Sequence, residues 1–149
     1  MRLSQKAQYA ICGCFDLAYH GGGEPVQVRV VGERQGIPER YLEQIFQSLR
    51  RARLVRGKRG PGGGYVLARP AAEISVSDVV EAVEGPFAAV LAAGPPARRE
   101  APGRPTFAFA QLAAGVEEVL AGLDLESLCR VAARQGVPRA TGEAVTYQI

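Results

Sequence analysis

Along residues 5–20 the apolar side chains Ala10, Cys14, Leu17 and Ala18 recur three and four positions apart, the spacing that gathers them on one side of a helix. Gly21-Gly22-Gly23 stops that helix. A short second helix is expected over 26–36, ended by Gly36. A third begins near Pro38, because proline suits the first helical position, where its missing N–H costs nothing. In that third helix Leu42, Ile45, Phe46 and Leu49 follow the i, i+3, i+4, i+7 pattern of a buried stripe. The opposite face presents Arg40, Glu43, Gln44, Gln47 and Arg51. Two helices joined by a short glycine-containing turn make a helix-turn-helix.

The period then changes. Leu54-Val55-Arg56 and Tyr65-Val66-Leu67 are short enough to be two strands of one hairpin, with 57–64 as its tip. Ser75 is placed to cap a fourth helix, with Asp78 in capping-box position and Ile74 able to staple onto Val79. That helix should bury Val79, Val80 and Val83 and end at Gly85-Pro86. Residues 87–106 are dominated by Pro, Gly, Ala and Arg without a usable period, which predicts a loose loop. A long helix follows over 107–123. Its apolar surface, Phe109, Leu112, Val116, Val119, Leu120 and Leu123, is wider than docking on a small domain requires, so self-association through it is expected. A short helix at 125–135 and a frayed tail complete the chain. The expected fold is mainly α with a small β-hairpin wing. It comprises a winged helix-turn-helix DNA-binding domain (1–86), a connecting loop (87–106), and a dimerisation helix with its tail (107–149).

Charge sharpens this picture. From Arg40 to Arg59 there are seven basic residues (Arg40, Arg50, Arg51, Arg53, Arg56, Lys58, Arg59) and one acid, Glu43. Residues 87–149 carry six of each sign and are neutral. A local basic cluster on an otherwise balanced chain is the footprint of a polyanion partner. Gln44 can bond adenine in bidentate fashion and Glu43 can accept from cytosine N4. Arg50, Arg51, Arg53, Lys58 and Arg59 suit phosphate contacts that position the protein on DNA. Glycines at 60 and 62–64 permit positive φ and close backbone approach. Alternatives remain for single residues: Tyr41 as partly core, Glu43 paired with a neighbouring Arg, Arg53 and Arg56 merely solvated.

Other chemistries find little support. The Gly-rich tip lacks the Gly-Lys-Ser/Thr ending of a nucleotide loop and leads into a strand. No nucleophile–base pair or carboxylate–histidine cluster stands at useful spacing, so an enzyme is not expected. No metal or cofactor site is expected either. Cys12 and Cys14, two apart on a helix, point in nearly opposite directions, and Cys129 is alone, so all three read as small buried hydrophobes. No apolar run approaches the roughly 20 residues of a membrane span, and the charged start shows no signal peptide. A cytoplasmic protein is the expectation.

From Met1-Arg-Leu-Ser to Val83-Glu-Gly the chain resembles the iron–sulfur cluster regulator (BadM or Rrf-two type) family of bacterial winged-helix transcription factors. The resemblance is carried by Glu33-Arg-Gln-Gly-Ile, Tyr41-Leu-Glu-Gln-Ile-Phe, Leu49-Arg-Arg, Leu54-Val and Arg59-Gly-Pro-Gly-Gly-Gly-Tyr-Val-Leu-Ala, with Leu123-Asp-Leu-Glu-Ser-Leu after the long helix. It implies a homodimer on a double-stranded operator with dyad symmetry. Arg40, Tyr41, Glu43 and Gln44 would lie at base edges or phosphates, and Arg59 with Gly60, Gly62 and Gly63 at the wing tip. Cluster-binding members carry three cysteines between the fourth helix and the dimerisation helix; here 87–106 contains none. The resemblance therefore implies a cluster-free regulator, most simply a repressor, whose input is an unidentified effector or partner protein. A protein-interaction module acting through a partner enzyme, and a thiol-based sensor at Cys129, are the rival readings.

Overall fold

Ser4 sets the start of the first helix by accepting the Ala7 N–H at 3.0 Å, one of the donors a helix N-terminus leaves unpaired. The computed structural model describes residues 2–96 and 98–140, and from Ser4 it runs through α1 (Gln5–His20), α2 (Val28–Gln35) and α3 (Glu39–Arg51). Two antiparallel strands follow, β1 (Val55–Lys58) and β2 (Gly64–Leu67), then a 3-10 turn at Ala71–Glu73. The rest is α4 (Val76–Glu84), α5 (Phe87–Leu91), α6 (Thr106–Ala121) and α7 (Leu125–Arg134).

The main core gathers Ala10, Cys14 and Leu17 of α1, Val31 of α2, Leu42, Ile45, Phe46 and Leu49 of α3, and Ile74 and Val79 at the start of α4. The stripe expected on α3 is therefore the buried one. Beneath the core surface, Asp16 is fully buried. It accepts from Arg34 Nε (3.1 Å), Arg34 Nη2 (2.5 Å) and Gln35 Nε2 (2.9 Å), a bidentate clamp that ties α2 to α1. The α2–α3 turn is equally constrained. Gly36 adopts φ 66°, and a Cβ on Gly32 would meet the Ile37 carbonyl oxygen at 2.7 Å.

Several boundaries differ from the sequence expectation, including the long helix, expected to reach 123 but ending at Ala121. Helix α2 starts at Val28, not 26, because Val26 exchanges two backbone hydrogen bonds with Tyr65 (2.9 and 2.8 Å) and so is held extended. Pro38 caps α3 from outside instead of opening it. The hairpin register, Val55↔Leu67 to Lys58↔Gly64, extends β1 to Lys58 and shortens the tip to 59–63, while Leu54 is drawn into the core.

Helix α4 carries the expected capping box, with Ser75 N–H donating to Asp78 and Asp78 N–H to Ser75 Oγ, and Ile74 and Val79 both fully buried. Val83 is only partly buried; Val76, Ser77, Val79 and Val80 form the inner face. The loose loop expected over 87–106 is corrected at its start. Phe87 docks against Ala7, Val76 and Val80 and anchors the short helix α5 onto α6. Five residues are too few for a helical period to be visible.

The chain then returns to its beginning. Ile74 and Val76 exchange backbone hydrogen bonds with Leu125 and Leu123 (3.0 and 2.7 Å), and Leu125 is fully buried in the main core. Asp124 caps α7 by accepting the Ser127 N–H at 2.8 Å. Helix α7 packs on α1, where Cys129 and Ala132 bury Tyr19. Beyond it, Tyr19 OH donates to the Val137 carbonyl (2.6 Å) and Ala140 N–H donates to His20 Nδ1 (3.0 Å). The expected frayed tail falls mostly on 141–149, outside the described residues.

Candidate nucleic-acid interface

Because Leu42, Ile45, Phe46 and Leu49 face the core, helical geometry turns Arg40, Tyr41, Glu43, Gln44, Gln47 and Arg51 outward, and all six are exposed. Tyr41 is 43% exposed. Its ring lies 6.5 Å from that of Tyr9, with the Arg40 guanidinium 4.8 Å above it and Arg40 Nη2 donating to its hydroxyl at 3.0 Å. It is a surface side chain braced from one side. Arg51 Nη2 donates to Ser48 Oγ at 3.2 Å, which holds the guanidinium along the helix. Glu43 joins no ion pair among the described residues, so the pairing alternative for it is not what the structure shows.

The same holds for the positive charges. Arg40, Arg50, Arg51, Arg53, Arg56, Lys58 and Arg59 are all exposed, and among the described residues none is in a salt bridge. Arg40, Arg50 and Arg51 lie on α3, Arg53 just beyond its end, and Arg56, Lys58 and Arg59 on the hairpin that follows it. Unpaired cations crowded on one surface repel one another, and a polyanion relieves that repulsion.

The wing tip is built by backbone geometry. Gly60 and Gly62 hold φ 91° and 73°, where a side chain is strained, and Gly63 N–H donates to the Gly60 carbonyl at 2.9 Å. A Cβ on Gly63 would come within 2.3 Å of the Lys58 carbonyl oxygen. The tip therefore stays narrow and presents Lys58 and Arg59 outward.

Sequence reasoning missed the groups that aim this wing. The Tyr65 ring stacks on Phe46 at 4.8 Å, joining β2 to the buried face of α3. The Tyr65 backbone is bridged to Val26, and Gly64 (φ 145°) lies so close to Val26 that a Cβ would meet its carbonyl at 2.4 Å. The wing is thus clamped between the start of α2 and the middle of α3. Gly64 closed a run of glycines and looked like the rest of the tip, so its packing role carried no separate signal.

On α6, Phe109, Val116 and Leu120 are half-buried, the last two against the cluster of Ala7, Val76, Val80 and Phe87. Leu112 (62%) and Val119 (65%) are exposed; Leu123 (40%), expected on the same helix face, is exposed beyond its end, because α6 stops at Ala121 and is capped by Gly122. Phe107, outside the expected stripe, is exposed to 67% and adds to the same apolar helix.

The thiols are not arranged as cluster ligands. Cys12 and Cys14 lie on α1 and Cys129 on α7, and the described residues of 87–106 offer no sulfur or imidazole. Burial pushes the Cys14 thiol up to about 12. Burial also raises Cys12, aided by the Asp16 carboxylate, and raises Cys129 against the lowering pull of Arg139. Iron–sulfur clusters need thiolates converging on one point, and this donor set does not fit one.

A family model for Rrf2, described as an iron-dependent transcriptional regulator, matches residues 3–131. The chain belongs to the Rrf2 family. The IscR regulator of Cereibacter sphaeroides is 54% identical over 86 residues, covering 56% of each chain. The HTH-type regulator ORF2 of Azotobacter vinelandii is 51% identical over 83 residues, 56% of this chain and 51% of that one. The chain thus spans about half the length of the curated relatives it matches. Solved structures align more fully. The IscR of T. potens superposes with a TM-score of 0.75 at 31% identity over 94% of both chains. CymR, the global cysteine regulator of B. subtilis, gives 0.73 at 30% identity over 88% of this chain and 98% of that one. The fold is accordingly that of the winged-helix Rrf2 regulators, and the relatives that share it are transcriptional regulators. Among the described residues no helix is long and apolar enough to cross a membrane.

Proposed function

We propose that this chain is a homodimeric, sequence-specific repressor that reads a dyad-symmetric double-stranded operator in the cytoplasm and holds no iron–sulfur cluster. The observation that carries the reading is the set of exposed cations on α3 and the wing, none in a salt bridge among the described residues, with the wing held against α3 by Phe46 and Tyr65. Gln44, Gln47 and Glu43 face outward where an α-helix in the major groove would meet base edges. Arg40, Arg51, Lys58 and Arg59, with the narrow turn of Gly60, Gly62 and Gly63, suit contacts to the sugar–phosphate backbone. The exposed apolar face of α6 supports pairing with a second copy, and a dimer on its operator represses by occupying the promoter.

Binding to genomic duplex fragments, measured as a function of salt, tests this. Arg59→Ala should shrink the slope of log K against log salt by ~0.9, the loss of one phosphate contact. Gln44→Ala should leave the slope and reduce discrimination between operator and unrelated DNA by about 1–3 kcal/mol. If both variants bind DNA as the parent does, the interface is elsewhere. For the cluster, anaerobically purified protein should be colourless, and stoichiometric iron would overturn that part. The rival thiol-sensor reading is disfavoured by the buried, raised Cys129, since a sensing thiol needs exposure and a low pKa.

A further inference from the structure

Between the start of α1, the end of α4, α5 and α6 lies a cavity of about 300 Å³, lined by apolar side chains that include Val80, Phe87, Leu91 and Val116. That is the lower end of the size range of small-molecule sites, which combine an apolar body with a few polar groups. Two of its lining residues carry opposite charges, Arg2 and Glu84. Among the described residues they form no ion pair with each other. Glu84 receives the Ser4 hydroxyl on Oε1, which leaves Oε2 for a second donor.

An apolar cavity whose described lining includes one cation and one anion, not in a salt bridge with each other, is complementary to a zwitterion with an apolar tail. A fatty acid would set its carboxylate against Glu84, which is half-buried, and an alkylamine would set its ammonium against the exposed Arg2; each meets like-charge repulsion, the stronger at Glu84. We propose that this cavity binds an apolar L-α-amino acid, its carboxylate on Arg2, its ammonium on Glu84, and its side chain among Val80, Phe87, Leu91 and Val116. The position gives such a ligand leverage. Val80 lies on α4, which packs on both α1 and α3, so filling the cavity bears on the elements that carry the reading face. The consequence for DNA rests on the function proposed above; the binding of the amino acid does not.

Calorimetric titration of the full chain with L-leucine, L-methionine and L-phenylalanine tests the site. At least one should bind, and 4-methylpentanoate and 3-methylbutylamine, which each lack one charge, should bind at least about tenfold more weakly than L-leucine. Arg2→Ala and Glu84→Gln should each weaken the amino acid by a similar factor. Val90→Trp, at an exposed lining position, should block it with an unchanged unfolding midpoint. No heat with any of the three up to roughly 10 mM overturns the proposal. So does equal binding of the single-charge analogues, or binding indifferent to both Arg2 and Glu84. Separately, duplex affinity should change at least about threefold with the bound amino acid. Unchanged affinity with intact amino-acid binding would overturn the regulatory role alone, whereas absence of DNA binding under all conditions would overturn the proposed function and leave this site standing.

Discussion

Arg53 holds φ 60° in the left-handed position that closes α3, with its N–H on the Arg50 carbonyl and the Leu54 N–H on the Leu49 carbonyl. This is a Schellman ending in which glycine is the usual residue, because a Cβ there costs roughly 1 kcal/mol. Arg53→Gly is therefore expected to raise the unfolding midpoint by a few degrees, read by calorimetry, for a gain of up to about 1 kcal/mol. On the proposed interface, the same substitution should also weaken DNA binding, since it removes an exposed cation at the end of α3. Sequence inspection registered Arg53 as a charge; its strain depends on where α3 stops, which residue types alone did not specify. Asp16 was hidden in the same way. Its carboxylate interrupts the apolar side of α1 and reads as noise until Arg34 and Gln35 arrive from another helix. Asp16→Ala should cost about 3–5 kcal/mol, because it strands the Arg34 guanidinium in a partly buried site, and chemical denaturation would register it.

At the level of elements, legibility followed how local the deciding interaction is. The α4 capping box lies within four residues and was readable; Asp78→Ala should remove about 1 kcal/mol, measurable by urea unfolding. The buried stripe of α3 was readable from spacing, and with it the outward set from Arg40 to Arg51. By contrast, α5 exists because Phe87 finds a hole between α1 and α4, a contact with residues far away in sequence. Wing direction is also non-local, set by Phe46, Tyr65 and Val26. Tyr65→Ala keeps every charge and every exposed polar group of the proposed interface. It is nonetheless expected to lower duplex affinity about tenfold by freeing the wing, with α-helical circular dichroism retained. An unchanged affinity would mean that the backbone bridge to Val26 aims the wing by itself.

For the molecule as a whole, the last described residues lean on the end of α1, and His20 makes that attachment pH-sensitive. Burial lowers its pKa, with Arg34 and Arg139 acting in the same direction and the Asp16 carboxylate opposing. A depressed histidine takes up fewer protons folded than unfolded, so its contribution is present above the ordinary histidine pKa and is lost as pH falls through the folded value. Protonation also removes the Nδ1 lone pair that accepts the Ala140 N–H. Lowering pH from about 7.5 to about 5.5 should therefore reduce the unfolding midpoint, and His20→Phe should flatten that dependence.

Leu125, finally, sits fully buried in the main core, and the backbone from 123 to 125 is hydrogen-bonded to Ile74 and Val76 at the entrance of α4. During synthesis the segments that form α1 to α4 leave the ribosome long before this leucine does. Until then the core has an open socket and α4 lacks its strand-like neighbour. The unit of α1 to α4 consequently acquires its full stability only once residue 125 has emerged, and a nascent chain stalled before that point would be a substrate for chaperones and proteases.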